Sequence, residues 1–129
     1  IDNLHSTLNQ LKKMKITMGI ATNDTEASAL YQLEKNCIKQ FFKYIYGSDS
    51  GYGFKPNSGM QEEFLRVTNL HPKNVMMVGD SIADIMSGNN IGMISIGVLT
   101  GPLKREHLEN KANFVLDSIS DLPKLIKNL

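Results

Sequence analysis

The sequence has one cysteine, no tryptophan and only four prolines in 129 residues. Cys37 cannot form a disulfide within the chain, and the absence of disulfides is typical of a reducing compartment. No apolar run approaches the roughly 18 residues expected of a membrane-spanning helix, and the first residues lack the basic and apolar regions of a signal peptide. We therefore expect a cytoplasmic protein that does not contact a membrane.

An excess of charge of one sign is also lacking. Fourteen basic and thirteen acidic residues give a formal net charge of +1, and neither sign forms a long block. This balance does not indicate a nucleic-acid partner. The hydrophobic fraction of 41% suits one domain with a sizeable core, and the sequence contains no internal repeat, low-complexity segment or linker. We expect a single domain over residues 1–129.

Apolar spacing alternates between the periods of strand and helix along the chain. This alternation predicts right-handed crossovers and a parallel sheet with helices on both faces, which is a Rossmann-like, three-layer α/β architecture. After an amino-terminal helix, strands are predicted at residues 15–21, 44–46, 75–78, 93–98 and 114–116. Helices are predicted at residues 26–42, 58–69, 81–89 and 104–110, with a last helix after residue 120.

Local patterns predict several finer features. Asp2 or Asn3 is expected to cap the first helix, Ser58 with Gln61 resembles a capping box, and Ser120 is expected to cap the last helix. An inward-facing apolar stripe is predicted for the helix over residues 26–42. Its members are Ala27, Leu30, Tyr31, Cys37, Ile38 and Phe41.

One strand-to-helix transition carries two carboxylates. Four apolar residues end at Gly79, and helical spacing follows. Asp80 lies at the turn, where parallel sheets collect ligands, and Asp84 lies one helical turn later on the same face. Two carboxylates so placed can bind Mg²⁺, which prefers oxygen ligands. The alternative is that Asp80 only caps the helix.

Two further polar sites follow predicted strands. Thr22 and Asn23 come directly after the first strand, and Lys55 lies in the loop after the second. Because the turns after parallel strands share one edge of the sheet, these groups are expected to meet the two carboxylates. Thr22, Asn23 and the backbone amides after Thr22 could bind phosphate oxygens, while Lys55 neutralises phosphoryl charge and Asp80 holds Mg²⁺. The combination predicts a phosphoryl-transfer site.

Each member of this set also has a simpler structural explanation. Thr22, Asn23 and Asp24 are good turn formers and helix caps, and a lysine in a glycine-rich loop is usually solvated. His71 precedes a proline at a helix end, where a capping or solvent-facing role is expected. Asp49 is interpreted as a turn residue, and no role is assigned to His5 and His107.

Three segments together resemble motifs two, three and four of the haloacid dehalogenase-like hydrolase superfamily. In order, they are Ile20-Ala21-Thr22-Asn23, Gly53-Phe54-Lys55-Pro56 and Val78-Gly79-Asp80-Ser81-Ile82-Ala83-Asp84. Two later segments are similar to the carboxyl end of the phosphoglycolate phosphatase-like branch. These are Gly97-Val98-Leu99-Thr100-Gly101 and Asn113-Phe114-Val115-Leu116-Asp117-Ser118. The resemblance covers almost the whole chain from residue 16 onward.

The resemblance implies a Mg²⁺-dependent phosphatase for small phosphorylated metabolites. Such an enzyme attacks a phosphate monoester with an aspartate, forms an aspartyl phosphate and hydrolyses it. By the motif matches, Thr22 would bind the transferring phosphoryl oxygens and Lys55 would stabilise the nucleophile and the phosphoryl group. Asp80 would ligate Mg²⁺ directly, and Asp84 would support the metal site or Lys55.

The family's first motif is absent from this sequence. That motif is an Asp-x-Asp run closing an apolar strand, and it supplies the nucleophile and the general acid. Asp2 is the only aspartate before Thr22, and no second aspartate follows two residues later. The resemblance therefore implies a carboxyl-terminal core that lacks a central strand, between the strands ending at Thr22 and Asp80. An upstream segment, direct pairing of the two edges, or a strand from a second chain would each fill this gap.

Two functions follow from these observations. In the first, the parent protein is a phosphatase, and residues 1–129 alone do not turn over substrate. In the second, the chain is a non-catalytic phosphate-binding, metal-binding or assembly module of the same fold. Retention of Thr22, Lys55, Asp80 and Asp84 favours descent from an active enzyme, whereas the missing nucleophile favours the second function for the chain as given.

Overall fold

The structure is a computed structural model that describes residues 2–129, with side chains from residue 4 onward. Six helices and five strands alternate along the chain. The helices are α1 (Asp2–Lys13), α2 (Glu26–Lys35), α3 (Gly59–Thr68), α4 (Ile82–Asn89), α5 (Arg105–Leu108) and α6 (Leu122–Lys127). The strands are β1 (Gly19–Ala21), β2 (Tyr44–Tyr46), β3 (Met76–Gly79), β4 (Ile94–Val98) and β5 (Phe114–Leu116). Short 3-10 turns lie at Lys39–Phe41, Pro72–Asn74 and Ile119–Asp121.

The strands form two separate parallel sheets. β1 pairs with β2, and the second sheet has the order β3-β4-β5. β1 and β3 are not paired with each other, although both line one cleft. The predicted parallel α/β architecture is therefore confirmed, and the expected absence of a strand between β1 and β3 appears as a division of the sheet in two.

The core is built around the best-paired strand. β4 has a neighbour on each edge, and Ser95 and Ile96 at its centre are fully buried. Helices α1 and α6 contact each other beside the sheets. Buried apolar side chains from both sheets' surroundings form one cluster, composed of Leu8, Leu11, Leu33, Ile38, Phe41, Ile96 and Leu122.

The helix predicted over residues 26–42 is wrong at its carboxyl end, because α2 stops at Lys35. Cys37 has a left-handed backbone with φ of 57°, the N–H of Ile38 donates to the Leu33 carbonyl, and the N–H of Cys37 donates to the Glu34 carbonyl. These two bonds are a Schellman motif, which satisfies the last carbonyls of a helix. The apolar spacing of the sequence continues past the end of α2 because Leu33 and Ile38, on either side of that end, are both in the core.

The predicted inward stripe is wrong at three positions, which are exposed. Cys37 is exposed, Tyr31 is 62% exposed, and Ala27 is also exposed. Buried positions in α2 are instead Ala29 and Leu33. The true inward face is thus narrower than the sequence pattern predicts.

The first strand is shorter than predicted for the same reason. Lys15 has a φ of 63°, and the N–H groups of Ile16 and Lys15 donate to the carbonyls of Leu11 and Lys12. Residues 15–16 therefore belong to a second Schellman motif, which ends α1. Both motifs place a side-chain-bearing residue where glycine is the usual signal, so the sequence did not mark either helix end.

Two predicted caps are wrong. Ser58 is the residue before α3, as predicted, but its hydroxyl donates to the Ser87 carbonyl at 2.7 Å and its side chain makes no capping hydrogen bond. At the chain's end, the Ser118 hydroxyl accepts the N–H of Ser120 at 3.1 Å and caps the 3-10 turn that leads into α6. The caps predicted at Asp2 and Asn3 lie outside the side chains that the structure describes.

Candidate active site

Lys55 connects the two sheets at their carboxyl edge. Its Nζ donates to the carbonyl oxygen of Ala21, the last residue of β1, at 2.7 Å. The same Nζ lies 2.6 Å from Oδ1 of Asp84, in the helix that follows β3. The Lys55 and Asp84 side chains are only 10% and 12% exposed. A buried ammonium therefore closes the end of the cleft between β1 and β3.

Asn23 holds the backbone of Lys55. Its Oδ1 accepts the Lys55 N–H at 2.8 Å, and its Nδ2 donates to the Lys55 carbonyl at 3.1 Å. Both amide atoms of Asn23 are thus used by a residue 32 positions later in the chain. This clamp was not predicted from the sequence, which assigned Asn23 to phosphate binding. Its effect is to fix where the lysine side chain begins.

Asp84 organises the turn after β3. Its Oδ2 accepts the N–H groups of Asp80 and Ser81 at 3.1 and 3.3 Å, while the Ser81 hydroxyl accepts the Asp84 N–H at 3.1 Å. This is a capping box at the start of α4, so Ser81 rather than Asp80 is the helix cap. A Cβ at Gly79 would lie 2.3 Å from Asp84 Oδ2, so the carboxylate's position requires glycine there.

Asp80 differs from Asp84 in having a free side chain. Within residues 2–129, its carboxylate makes none of the hydrogen bonds or ion pairs found in the structure, and it is half-buried. A Cβ at Gly101 would lie 2.5 Å from Asp80 Oδ2. Glycine at the end of the β4 turn therefore leaves open the space beside this carboxylate.

Thr22 lies beside these groups, at the end of β1. Its N–H donates to the Tyr46 carbonyl at 3.0 Å, and its hydroxyl oxygen accepts the Asp24 N–H at 3.1 Å, which leaves the hydroxyl proton available. The amino end of α2 is already satisfied by Thr25 and Asp49. A phosphate at this edge would therefore meet the Thr22 turn rather than the first turn of α2.

A buried polar network behind Asp84 was missed by the sequence analysis. Ser87, which is fully buried, donates from its hydroxyl to the Asp84 carbonyl at 2.7 Å. Gln61 is 3% exposed, and its Nε2 donates to the Ser87 hydroxyl at 2.9 Å. No sequence pattern links residues 26 positions apart, although a glutamine facing the apolar side of a helix was a visible anomaly.

The remaining candidates make local structural contacts. His71 Nδ1 accepts the Lys73 N–H at 3.2 Å, which confirms its expected capping role. His107 Nδ1 accepts the Lys104 N–H, and the His5 ring packs edge-on against Phe41. Asp49 accepts the Glu26 N–H, which joins its loop to the start of α2.

One tyrosine near the site has a perturbed ionisation. Burial raises the pKa of Tyr46, and the nearby Glu63 carboxylate raises it further. Glu63 is itself bonded to Arg66 through two contacts of 2.7 Å, and this bond lowers the pKa of Glu63. The Tyr46 phenol therefore stays protonated to higher pH than an exposed tyrosine.

Of the two carboxylates at this edge, one is available to bind Mg²⁺. Among the described residues, no group of three or more His, Cys, Asp and Glu side chains could hold a metal ion. Asp84 is committed to Lys55 and to two backbone N–H groups, whereas Asp80 is free. Mg²⁺ commonly takes one or two carboxylates and completes its shell with water and substrate phosphate. The residues present fit such a site with Asp80 as its ligand.

Comparison with known proteins identifies the lineage. The family model described as haloacid dehalogenase-like hydrolase matches residues 1–98. The chain belongs to the haloacid dehalogenase-like hydrolase family. This haloacid dehalogenase-like chain places all of its predicted motif residues at one sheet edge, where Asn23, Lys55 and Asp84 are in direct contact.

Curated relatives of this haloacid dehalogenase-like chain include a protein named pyrophosphatase PpaX. The sequence from Bacillus mycoides (strain KBAB4) is 28% identical over 129 residues, which are 99% of this chain and 60% of the relative. The Bacillus cereus (strain G9842) sequence of the same name matches equally. This chain therefore spans about three fifths of the length of these relatives.

Solved structures agree on the fold of this family member. A predicted phosphatase from Clostridium acetobutylicum is 25% identical, with a TM-score of 0.87 over 99% of this chain and 60% of that one. A predicted phosphoglycolate phosphatase from Haemophilus somnus 129PT is 24% identical, with a TM-score of 0.89 over 96% and 56%. Separately, no helix within residues 2–129 is long and apolar enough to cross a membrane.

Proposed function

We propose that the parent protein is a Mg²⁺-dependent phosphatase for small phosphate monoesters and that residues 1–129 form most of its phosphoryl-binding core. The observation that carries the proposal is the buried Lys55 ammonium, held between the Ala21 carbonyl and the Asp84 carboxylate at the edge where Thr22 and Asp80 also lie. A fixed positive charge of this kind stabilises charge that develops on a transferring phosphoryl group.

Each residue has a distinct part in this proposal. Thr22 donates its hydroxyl proton to a phosphoryl oxygen, and Lys55 neutralises the oxygens on the cleft side. Asn23 keeps the Lys55 backbone in place, and Asp84 keeps its ammonium oriented. Asp80 is the ligand that would hold Mg²⁺, which when bound supplies Lewis-acid stabilisation of phosphate charge.

The reaction itself needs a carboxylate that these residues do not supply. In the proposed sequence, a carboxylate oxygen attacks phosphorus, the P–O ester bond breaks, and the leaving alkoxide takes a proton. Water then attacks the acyl phosphate, releases inorganic phosphate and regenerates the carboxylate. Asp84 is bonded to Lys55 and to the N–H groups of Asp80 and Ser81 in the turn before α4, and the proposal assigns Asp80 to Mg²⁺, so neither carboxylate remains to attack phosphorus. The nucleophile belongs to a segment outside residues 1–129, and this chain alone is inactive.

The alternative is a non-catalytic phosphate- or metal-binding module. One observation favours it for the chain by itself. Of the two carboxylates among the five predicted site residues, Asp84 is paired with Lys55, and Asp80 has no partner among the described residues. Asp80 can therefore bind an ion without any transfer of a phosphoryl group. Both functions share the same binding groups and differ in turnover.

Calorimetric titration of the 129-residue chain with orthophosphate in the presence of Mg²⁺ tests the shared binding step. We expect saturable binding that Thr22→Val and Lys55→Met each weaken by about tenfold, which is about 1.4 kcal/mol for a lost charged or hydroxyl contact. Thr68→Val, at the carboxyl end of α3 where the hydroxyl donates to the Phe64 carbonyl, serves as a matched hydroxyl control and should leave binding unchanged. Equal phosphate affinity in all variants would refute the assigned roles.

A further inference from the structure

The loop that carries Lys55 leads into α3, and the residue before α3 is bonded to α4. The Ser58 hydroxyl donates to the Ser87 carbonyl at 2.7 Å. This carbonyl lies in the last turn of α4, where carbonyls lack partners within the helix. The N–H of Ile91, which would reach it if the helix continued, donates to the Gly88 carbonyl at 3.2 Å instead. The Ser58 hydroxyl therefore provides the partner that α4 itself does not.

The Ser87 hydroxyl connects α3 with the backbone of Asp84. Ser87 is fully buried, and its oxygen accepts a hydrogen bond from Gln61 Nε2 at 2.9 Å. A hydroxyl has one proton, and that proton is donated to the Asp84 carbonyl at 2.7 Å. Ser87 therefore receives two hydrogen bonds from the α3 side, one at its carbonyl from Ser58 and one at its hydroxyl from Gln61.

The backbone around Lys55 is held from both sheets. Asn23, in the turn after β1, binds the N–H and the carbonyl of Lys55 at 2.8 and 3.1 Å. On the other side, Asn90 Nδ2 at the end of α4 donates to the Pro56 carbonyl at 3.4 Å. The Lys55 ammonium then reaches Asp84, in the first turn of α4, at 2.6 Å. The ion pair is thus one of several contacts between this loop and α4.

The two helices joined at Ser87 pack against different sheets. A Cβ at Gly88 would lie 2.7 Å from the Met77 Cβ, so α4 lies close against β3. A Cβ at Gly19 would lie 2.9 Å from Phe64 Cε1, so α3 lies close against β1. Packed elements of this kind move together with their sheet. The contacts of α3 with Ser87 therefore help to set how far apart the two sheets lie.

We propose that Ser87 is a positioning residue for the phosphoryl site, together with Ser58 and Gln61. Their hydrogen bonds fix the Lys55 loop relative to Asp84 and so orient the Lys55 ammonium toward a bound phosphate. Ser87 acts through Lys55 and Asp84 and does not itself bind the ligand. The proposal rests on the proposed function in one respect, which is that Lys55 binds the phosphoryl group.

Ser95 provides a matched control for Ser87. Ser95 is also fully buried, and its hydroxyl accepts the N–H of Asn113 at 3.0 Å and donates to Asn113 Oδ1 at 3.2 Å. These bonds join β4 to the residue before β5 and involve neither α3 nor α4. Ser87→Ala and Ser95→Ala should therefore lower stability by similar amounts, whereas only the first should affect Lys55.

NMR of the Lys55 ammonium in the 129-residue chain, without any ligand, tests this positioning. The protons of a buried, hydrogen-bonded ammonium exchange with water when the structure opens locally. We expect Ser58→Ala and Ser87→Ala each to accelerate this exchange by about fivefold, the factor that corresponds to one lost hydrogen bond. Ser58→Thr keeps the hydroxyl and should restore the wild-type rate, and Ser95→Ala should leave the rate unchanged.

Calorimetric titration of the same proteins with orthophosphate in the presence of Mg²⁺ measures the consequence for binding. We expect Ser58→Ala and Ser87→Ala to weaken phosphate binding by about fivefold, in parallel with the faster exchange at Lys55. Ser58→Thr and Ser95→Ala should bind phosphate as the wild-type chain does.

The two measurements separate the possible failures. A wild-type exchange rate at Lys55 in both Ser58→Ala and Ser87→Ala would overturn the proposal. An equal acceleration in Ser95→Ala would also overturn it, because a general loss of stability would then explain the effect. If Ser87→Ala does not fold, the comparison of Ser58→Ala with Ser58→Thr decides by the same criteria. A wild-type chain that binds no phosphate would refute the proposed function, while the exchange rates still decide whether Ser87 positions Lys55.

Discussion

The two sheets of this chain differ in how completely their strands are paired. In the sheet β3-β4-β5, the central strand has hydrogen-bonded neighbours on both edges, and four of its five residues are buried. In the pair β1-β2, each strand has one neighbour, and the residues of β2 are all half-buried. The larger sheet therefore contains the best-paired and most buried strand, β4, whereas Lys55 joins the smaller sheet to the larger one.

The two sheets also supply different residues to the candidate active site. The larger sheet supplies the turn that carries Asp80 and Asp84, and the smaller sheet supplies Thr22, Asn23 and the loop of Lys55. The candidate site exists only where the two meet. Any change that weakens the contact between the sheets should affect the site before it affects the core of the larger sheet.

The largest expected change in the free energy of unfolding comes from a substitution at the centre of the larger sheet. Ile96 is fully buried in β4, so Ile96→Ala should lower the free energy of unfolding by about 4 kcal/mol through lost burial and a cavity. Ile20→Ala, at the half-buried cleft edge of β1, should cost about 1.5 kcal/mol, because its surroundings are already open. Urea unfolding of both variants measures the contrast, and equal losses would contradict the distinction between the sheets.

The next effect breaks the connection between the sheets. Asp84→Ala leaves the buried Lys55 ammonium without its carboxylate and removes the capping box of α4, so we expect a loss of about 3 kcal/mol. Asp117→Ala is the matched control, because its pair with Arg105 is 83% and 47% exposed and should change stability by less than about 0.5 kcal/mol. Similar losses in the two variants would show that Lys55 and Asp84 do not hold the sheets together.

Much of this arrangement could be predicted from the sequence because it depends on periodicity. Alternating apolar runs gave the order of the elements and the parallel sheets, and β2 lies where its short apolar run placed it. The convergence of Lys55 with Asp84 followed from the rule that turns after parallel strands share an edge. Strand position and sheet polarity together were sufficient for that prediction.

Other features depend on single contacts that no pattern encodes. The start of β1 and the end of α2 were misplaced because Lys15 and Cys37 adopt left-handed backbones without being glycine. The bonds of Asn23 to the Lys55 backbone join distant loops through one amide. The Ser58 hydroxyl was assigned to its own helix, but it is directed toward the Ser87 carbonyl in α4, to which it donates. In each case, contacts between distant residues decide which of several local hydrogen bonds forms, because these hydrogen bonds have similar energies.

A smaller effect sharpens the contrast between the two carboxylates of the larger sheet. Asp80 has a side chain without a hydrogen-bond partner among residues 2–129, so Asp80→Asn should change the free energy of unfolding by less than about 0.5 kcal/mol. The same substitution should weaken Mg²⁺ binding by at least about tenfold, because it removes the free carboxylate. Calorimetry with MgCl₂ checks this, and unchanged affinity would remove Asp80 from the metal site.

The smallest effect concerns Tyr46, at the end of β2. Burial raises the pKa of its phenol in the folded chain, so the folded state holds this proton when the unfolded chain has lost it. Stability from this group is present below the unfolded pKa of about 10 and is lost as pH rises toward the folded pKa. Tyr46→Phe should therefore reduce the alkaline loss of stability in thermal melts above pH 9. An identical dependence of stability on alkaline pH in the wild-type chain and in Tyr46→Phe would contradict the role given to Tyr46.

The most direct test of the proposed separation between phosphate binding and catalysis is hydrolysis of p-nitrophenyl phosphate with Mg²⁺ by the purified 129-residue chain, compared with its Lys55→Ala variant. The variant reports the background from contaminating phosphatases. Because Asp84 is bonded to Lys55 and Asp80 is the proposed Mg²⁺ ligand, neither carboxylate at the sheet edge is left to act as the nucleophile, and we expect equal, background rates for both proteins. Turnover by the wild-type chain that disappears with Lys55→Ala would contradict it, since the residues present would then suffice for catalysis.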